Sequence, residues 1–151
     1  MKKIVAVLWH NSANRLAMVQ EETASFVDLK IYSAGALSSG KQDLQQLYGD
    51  MDDADLLLLN VTSSDAAWSE IDTYLQTKNK SIVYIGSEAS LHVKSQLEVR
   101  YSAQCNLYYN YSGKENLMQM IRYLCAEVLR EPVPYEEPIF IPWEGIFHPD
   151  T

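Results

Sequence analysis

The sequence predicts an α/β fold, in which helices cover an open, doubly wound and mostly parallel sheet, followed by a proline-rich C-terminal tail. Three strongly hydrophobic segments, at 4–9, 55–61 and 82–85, lack the alternation of a strand with one solvated face, and the first is apolar at every position. Each run precedes a segment with the apolar spacing of a helix. Strands that alternate with helices at short spacing are typical of parallel sheets joined by right-handed crossovers.

The first strand-to-helix unit occupies residues 4–32. Residues 4–9 read as a central strand, and Asn11 or Ser12 can cap the helix that follows. Its apolar stripe is formed by Ala13, Leu16, Ala17 and Ala24. Residues 26–32 then predict a second, less buried strand.

The second unit begins with small residues. Gly35 and Gly40 predict a loop, and apolar spacing after it predicts a short helix that Gly49 closes. The run at 55–61 is the most hydrophobic strand of the chain, and the next helix carries Trp68, Ile71 and Leu75 on one side.

The third unit begins at 82–85 and continues into a polar helix from about Glu88 to Arg100, after which 105–111 suggests a short final strand. Ser112 and Glu115 have the spacing of a capping box for the last helix. Its apolar face contains Leu117, Met118, Met120, Ile121, Leu124, Cys125, Val128 and Leu129. This order of elements predicts a flavodoxin-like or Rossmann-like domain.

The chain divides at residue 130. Residues 1–130 form the predicted α/β domain, and all five prolines lie in the following eighteen residues, from Pro132 to Pro149. Because proline supplies no backbone donor, such a segment forms neither a helix nor a central strand. Residues 131–151 therefore predict a connector to a downstream domain that this chain lacks.

Composition narrows the possible partners. The chain has 151 residues and a net charge of −8 at pH 7, and an acidic surface repels both phosphate backbones and anionic lipid. The first apolar run is too short for a signal peptide or a membrane span. Cys105 and Cys125 form no CxxC pair, which favours reduced thiols. We expect a cytoplasmic protein that binds neither nucleic acid nor membranes.

Ligands of open parallel sheets bind beyond the carboxyl ends of the strands. The candidate ligand-binding residues there are His10, Ser12, Arg15, Thr62, Ser63 and Ser87. The loop after the first strand has no glycine, which argues against a phosphate cradle. His10 could coordinate a metal or transfer a proton, and the alternative is a purely structural role. The hydroxyl groups at 62–65 could contact a bound ligand, and the alternative is that they cap a helix.

Neither a catalytic group nor a metal site is predicted. No histidine spacing unites His10 with His92 or His148, and no nucleophile and base pair can be named. The acidic run at 50–55 precedes a strand, so it lies at the amino edge and reads as solvated charge rather than a magnesium site. Four tyrosines between 101 and 111 predict edge packing, with an aromatic wall against a flat ligand as the alternative.

A family resemblance comes from the tail. Pro142-Trp-Glu-Gly-Ile-Phe-His-Pro-Asp150, preceded by Gly113-Lys-Glu-Asn-Leu117 and Ile121-Arg-Tyr-Leu124, resembles the N-terminal region of the cobalt chelatase large subunit and the related magnesium chelatase H subunit. The motif positions are Trp143, Gly145, His148 and Pro149. We expect them to shape the passage to the next domain, because aromatics beside prolines are suited to packing.

The resemblance implies a function for a longer parent protein. In that family the large subunit holds a tetrapyrrole and a divalent metal, cobalt or magnesium, while separate ATPase subunits use ATP to drive insertion. This ligase-class reaction belongs to cobalamin or chlorophyll-type biosynthesis. The chain would then be an N-terminal fragment, non-catalytic alone and without a cofactor of its own, whose partners are the rest of the large subunit, the ATPase subunits and the tetrapyrrole. The alternative is a stand-alone, small-ligand-binding flavodoxin-like module.

Overall fold

The computed structural model describes residues 1–8, 10–60, 68–76, 81–85, 99–111 and 113–139. Four strands are present: β1 (Lys2–Leu8), β2 (Val27–Ser33), β3 (Leu56–Asn60) and β4 (Ile82–Tyr84). The helices are α1 (His10–Thr23), α2 (Ala34–Ser38), α3 (Leu44–Asp53), α4 (Trp68–Gln76), α5 (Val99–Tyr111) and α6 (Lys114–Tyr123). A wider π-helical turn at Leu124–Val128 extends α6.

The described strands form one parallel sheet in the order β2-β1-β3-β4. In its register Leu8 lies beside both Ser33 and Asn60, and Leu59 lies beside Tyr84. A strand order in which later strands are added on both sides of β1 is typical of flavodoxin-like sheets. The predicted open, doubly wound α/β fold is confirmed.

Both faces of the sheet are covered, which explains the continuous apolar runs. Ile4, Ala6 and Leu8 belong to one core cluster with residues of α1, α5 and α6. Val5 and Val7 belong to a second cluster with residues of α2, α3 and α4. Since neighbouring residues of a strand point to opposite faces, a strand with two dry faces must be apolar at every position.

The last helix buries the face that its spacing predicts. Leu117, Met120, Ile121 and the two residues after Tyr123 are buried, and Met118 is partly buried against the same core. The start of α6 differs from the prediction. Gly113 is the N-cap residue, with φ of 85°, and no side chain caps the helix. The capping box was predicted with Ser112 as the N-cap, and that residue lies outside the described residues. Glu115 accepts a hydrogen bond from Gln119.

The predicted final strand at 105–111 is also wrong, because these residues form the second half of α5. Tyr101, Cys105 and Tyr108 are buried at helical spacing of four and three residues. In a short window rich in aromatic residues, β-propensity competed with this period, and burial of one helical face against the sheet decided the outcome.

Two predictions around the early glycines need correction. The supposed loop between Gly35 and Gly40 contains the short helix α2, whose N-cap is Ser33. Gly49 lies inside α3, which is capped by Asp43 and continues to Asp53. The cap at Asp43 and the buried Leu47 and Met51 stabilise a longer helix than Gly49 alone suggests.

Within the described residues, no helix is long and apolar enough to cross a bilayer. Both cysteines are free thiols in the core, as predicted. The predicted helix from about Glu88 to Arg100 lies mostly outside the described residues, which begin again at Val99.

Candidate functional site at the carboxyl edge of the sheet

The carboxyl ends of β1 and β3 mark the place where the direction of winding changes. From β1 the chain crosses through α1 to β2, and from β3 it crosses through α4 to β4. The buried residues of α1 belong to one core cluster and those of α4 to the other, so the two helices lie on opposite faces. In open α/β sheets this crevice is the usual ligand site.

Asn60 lies at this edge of the sheet. It is the last residue of β3, it is 8% exposed, and its Nδ2 donates a hydrogen bond of 2.7 Å to the hydroxyl of Tyr109 in α5. One turn earlier, Asn106 Nδ2 donates to the carbonyl of Ser102 at 2.7 Å and to that of Tyr84 at 3.4 Å. Helix α5 is therefore tied to the ends of both β3 and β4.

The end of β2 is closed by a different set of local contacts. The backbone N–H of Ser33 donates to Gln42 Oε1 at 2.8 Å, and the Ser33 hydroxyl accepts from the N–H of Ala36 at 3.4 Å. Ser33 thus ends the strand and begins α2. These groups serve as turn and cap partners, which is the usual role of serine at a helix start.

The predicted ligand-binding residues fall into two sets. His10 and Ser12 lie in the first turn of α1 directly after β1, and their side chains are outside the described part. Arg15 lies in the next turn and is exposed. The remaining predicted positions are outside the described residues: Thr62, Ser63, Ser87, Trp143, Gly145, His148 and Pro149.

The acidic run lies at the amino edge, as predicted, but Asp50 is not simply solvated. Lys3 Nζ forms an ion pair of 2.8 Å with Asp50 Oδ1, and the side chains are 14% and 19% exposed. The hydroxyl of Tyr32 donates to the other carboxylate oxygen. Asp55 accepts the backbone N–H of Lys3 at 2.9 Å. Asp50 therefore joins β1, β2 and α3, and the expectation of solvated charge is wrong for this residue.

The ionisation of this cluster follows from its contacts. Burial by itself raises the pKa of Asp50, but the hydrogen bonds from Lys3 and Tyr32 outweigh it and hold that pKa below its ordinary value. The hydrogen bond to Asp50 raises the pKa of Lys3. The described residues contain no group of three or more His, Cys, Asp or Glu side chains that could hold a metal ion.

The tyrosines of α5 pack mainly in the core. Tyr101 and Tyr108 are buried, and their ring centroids lie 6.4 and 6.0 Å from that of Tyr123. Tyr109 and Tyr111 are half-buried. The packing interpretation is therefore confirmed for Tyr101 and Tyr108, whereas Tyr109 takes part in the polar contact with Asn60.

Three grooves lined by described residues lie away from this edge. One of about 340 Å³ and another of about 430 Å³ flank the outer side of β2 and share Gln20 and Lys30 in their walls. A third, of about 420 Å³, lies between α6 and residues 134–136.

Sequence reasoning missed Asn60, Asn106 and Tyr109 as the groups that join α5 to the ends of β3 and β4. A polar residue ending an otherwise apolar strand was the available signal for Asn60. Asn106 and Tyr109 are three residues apart on one helix, and the strand prediction for this segment placed them on opposite faces.

Comparisons with solved structures show what this chain is similar to. No protein-family model matches the chain, and no curated protein matches it by sequence. The chain is similar in structure to the catalytic subunit of cobaltochelatase from Mycobacterium tuberculosis, with a TM-score of 0.66 and 16% sequence identity. The similarity covers 93% of this chain and 12% of the other. It confirms the resemblance to cobalt chelatase at the level of the fold, and this chain spans about one eighth of that relative.

Proposed function

We propose that this chain is the N-terminal α/β domain of the large, tetrapyrrole-binding subunit of an ATP-dependent cobaltochelatase-like enzyme. The structural similarity to a cobaltochelatase catalytic subunit, across 93% of the chain, is the observation that carries the proposal. The tail motif at 142–150 supports it independently, because those residues lie outside the described structure and carry their resemblance in sequence alone.

The domain is non-catalytic by itself and acts as a rigid platform. At the carboxyl edge, the polar groups of Asn60 and Asn106 are engaged with Tyr109 and with backbone carbonyls of the same chain. Groups already satisfied by internal partners contribute to order rather than to substrate binding. A sheet with two dry faces and a helix tied across its edge supplies a stable surface for further domains to pack on.

The substrates and partners belong to the parent protein. The tetrapyrrole carries several carboxylates, and a net charge of −8 opposes its approach to this domain. The exposed Arg15 beyond β1 is the candidate position for a carboxylate contact, since arginine pairs with carboxylates in a bidentate way. Cobalt or magnesium enters as a substrate, and ATP is used by separate ATPase subunits.

Immunodepletion tests the proposal in the cells that make the protein. Antibody against residues 1–139 is used to clear a cell extract, and ATP-dependent cobalt insertion into a corrinoid precursor is then followed by absorbance. We expect cobalt insertion to fall in proportion to the protein removed and to return when the eluted protein is added back. Pre-immune serum is the control.

Unchanged cobalt insertion after complete depletion would contradict the proposal. In that case the alternative, a stand-alone ligand-binding module, is tested by adding small ligands and measuring the melting temperature. A ligand that binds only the folded state raises that temperature by mass action.

A further inference from the structure

The start of the tail is fixed to the domain by contacts with its last two helices. After α6 the chain continues through the π-helical turn, and Arg130 adopts a left-handed conformation with φ of 59°. The N–H of Glu131 donates to the carbonyl of Cys125, six residues earlier, at 2.9 Å, and so closes the end of this wide turn. The chain then turns back along α6. We call residues 133–139 the strap.

The strap runs antiparallel to α6, because successive contacts pair early helix residues with late strap residues. Asn116 contacts Ile139, at the far end of the strap. One turn later, Gln119 Oε1 accepts the N–H of Glu136 at 2.8 Å. Another turn later, Arg122 Nη1 donates to the carbonyl of Pro134 at 3.2 Å. Residues 116, 119 and 122 follow one another at three-residue spacing, so they lie along one side of the helix.

These hydrogen bonds are made with backbone groups of the strap rather than with its side chains. Asn116 makes two hydrogen bonds of 2.7 Å to Ile139, one to its carbonyl and one from its N–H. Tyr108 donates to the carbonyl of Glu136. The side chains of Ile139 and Glu136 themselves are exposed. By contrast, Asn116 and Gln119 are only 1% and 6% exposed, so little water reaches these two residues.

Apolar anchors at the start of the strap hold it against the core. Val133 and Tyr135 pack on the main core cluster, and the ring of Tyr135 meets that of Tyr123 edge to face at 5.2 Å. The guanidinium of Arg122 is held over the ring of Phe26, 4.9 Å from its centroid, which orients it toward the strap.

We propose that the side of α6 formed by Asn116, Gln119 and Arg122, together with Tyr108, is a binding groove for an extended backbone whose occupant is the strap. The anchors at Val133 and Tyr135 give affinity, and the side-chain amides fix the register. The groove therefore fixes the position and direction of residues 133–139 on the α/β domain.

A buried polar side chain without a partner is costly, which explains why the groove needs an occupant. Asn116 and Gln119 would each lose a backbone partner if the strap left, at positions where little water can replace it. Any extended segment with free amides at the two clamped positions satisfies them. A proline at either position does not, because it has no N–H.

Single proline substitutions in the full chain test the proposal. Glu136→Pro and Ile139→Pro each remove an N–H that the groove binds, whereas Glu137→Pro removes one that neither Asn116 nor Gln119 binds. Ile139→Ala shortens the side chain but keeps the N–H. The measurement is hydrogen exchange by NMR at the Asn116 side-chain amide and at the Val133 N–H, which donates to Glu131.

We expect Glu136→Pro and Ile139→Pro to speed this exchange by about threefold to tenfold, the effect of losing one hydrogen bond. Glu137→Pro and Ile139→Ala keep both of these hydrogen bonds, so they should change the exchange rate by less than about twofold. Protection of the Leu58 amide in the sheet shows that each variant remains folded. Equal effects of Ile139→Ala and Ile139→Pro, or no effect of either clamped-position proline, would overturn the proposal.

Substitutions on the helix give an independent check. Asn116→Leu keeps the approximate shape of the side chain and removes both hydrogen bonds to Ile139. Gln104→Leu is the comparison, because Gln104 contacts the exposed carboxylate of Glu137 and the hydroxyl of Tyr108 rather than the strap backbone. We expect faster exchange at Val133 in Asn116→Leu and not in Gln104→Leu. The reverse order would mean that side chains, not backbone, hold the strap.

Discussion

The Nδ2 of Asn60, at the carboxyl end of β3, donates a hydrogen bond of 2.7 Å to the hydroxyl of Tyr109 in α5. This contact joins the most buried strand of the sheet to a helix that follows it by about forty residues. It lies at the crevice where flavodoxin-like domains usually bind ligands. The edge is thereby organised for stability, which agrees with the role of a platform.

The first prediction is that the hydrogen bond between Asn60 and Tyr109 contributes to the free energy of unfolding. Tyr109→Phe leaves the buried Asn60 amide without this partner, so we expect a loss of about 1 kcal/mol in the free energy of unfolding. Asn60→Leu and the double variant complete a thermodynamic cycle, measured by urea unfolding. The decrease in the free energy of unfolding should be smaller in the double variant than the sum of the decreases in the two single variants, and the difference should be about 0.5–1.5 kcal/mol. Strictly additive losses would show that the two residues do not interact.

The pH dependence of stability should report the Lys3–Asp50 pair. The pKa of Asp50 is lower in the folded chain than in the unfolded chain, so its contacts stabilise the fold above about pH 4 and are lost as the pH falls through the folded pKa. We expect Asp50→Asn to cost about 1–3 kcal/mol at pH 7 and progressively less toward pH 3. Chemical unfolding at several pH values measures this difference.

The matched control for that prediction is Asp53→Asn, an exposed carboxylate at the end of the same helix. Its effect on the free energy of unfolding should stay within about 0.5 kcal/mol. A pH-independent cost for Asp50→Asn would mean that packing, rather than the ion pair, makes Asp50 important.

Two glutamines cover the outer edge of β2. Gln20 Nε2 donates to the carbonyl of Leu29 at 2.6 Å, and Gln42 accepts the N–H of Ser33 at 2.8 Å. They occupy positions that a neighbouring strand would otherwise use, and an open strand edge promotes association. We expect the double variant Gln20→Ala, Gln42→Ala to self-associate at concentrations where the parent chain does not.

Sedimentation velocity across a concentration series measures that association. Gln45→Ala, in an exposed position of α3, is the control and should behave like the unsubstituted chain. A double variant that sediments as the unsubstituted chain does at every concentration would show that the glutamines do not protect the edge.

Thiol reactivity gives a further prediction. Cys105 and Cys125 are fully buried, and burial raises the pKa of both thiols, that of Cys125 to about 11. Because the thiolate is the reactive form, we expect a disulfide reagent at pH 8 to modify both only as fast as the chain unfolds. Adding denaturant should raise the rate in step with the unfolded fraction. Rapid modification of the native chain would contradict the burial of these thiols.

Much of the fold could be predicted because hydrophobic pattern decides it. Residues 4–8, 56–59 and 82–85 are apolar at every position, and a sheet with two dry faces requires this. The second half of α5 was predicted wrongly because Tyr108 and Tyr109 have high β-propensity, while a seven-residue window shows less than two helical turns. The prediction that the helix ends at Gly49 was wrong because a glycine inside a helix lowers its stability by only about 1 kcal/mol relative to alanine.

The contacts that organise the edges and the tail could not be predicted from sequence. Asn116 pairs with Ile139, and Lys3 pairs with Asp50, across 23 and 47 residues. Local periodicity carries no information about which distant polar groups meet. The polar residues Asn116, Gln119 and Arg122 beside the apolar face of α6 were visible in the sequence, but the sequence does not show that the strap contacts all three.

The mass of the native polypeptide tests the central claim most directly. Antibody against residues 1–139 is used to detect the protein in lysates of the cells that produce it, separated by denaturing electrophoresis. A domain of a chelatase large subunit predicts a band several times heavier than 17.2 kDa. A single band at 17.2 kDa would contradict this account and favour a stand-alone ligand-binding module.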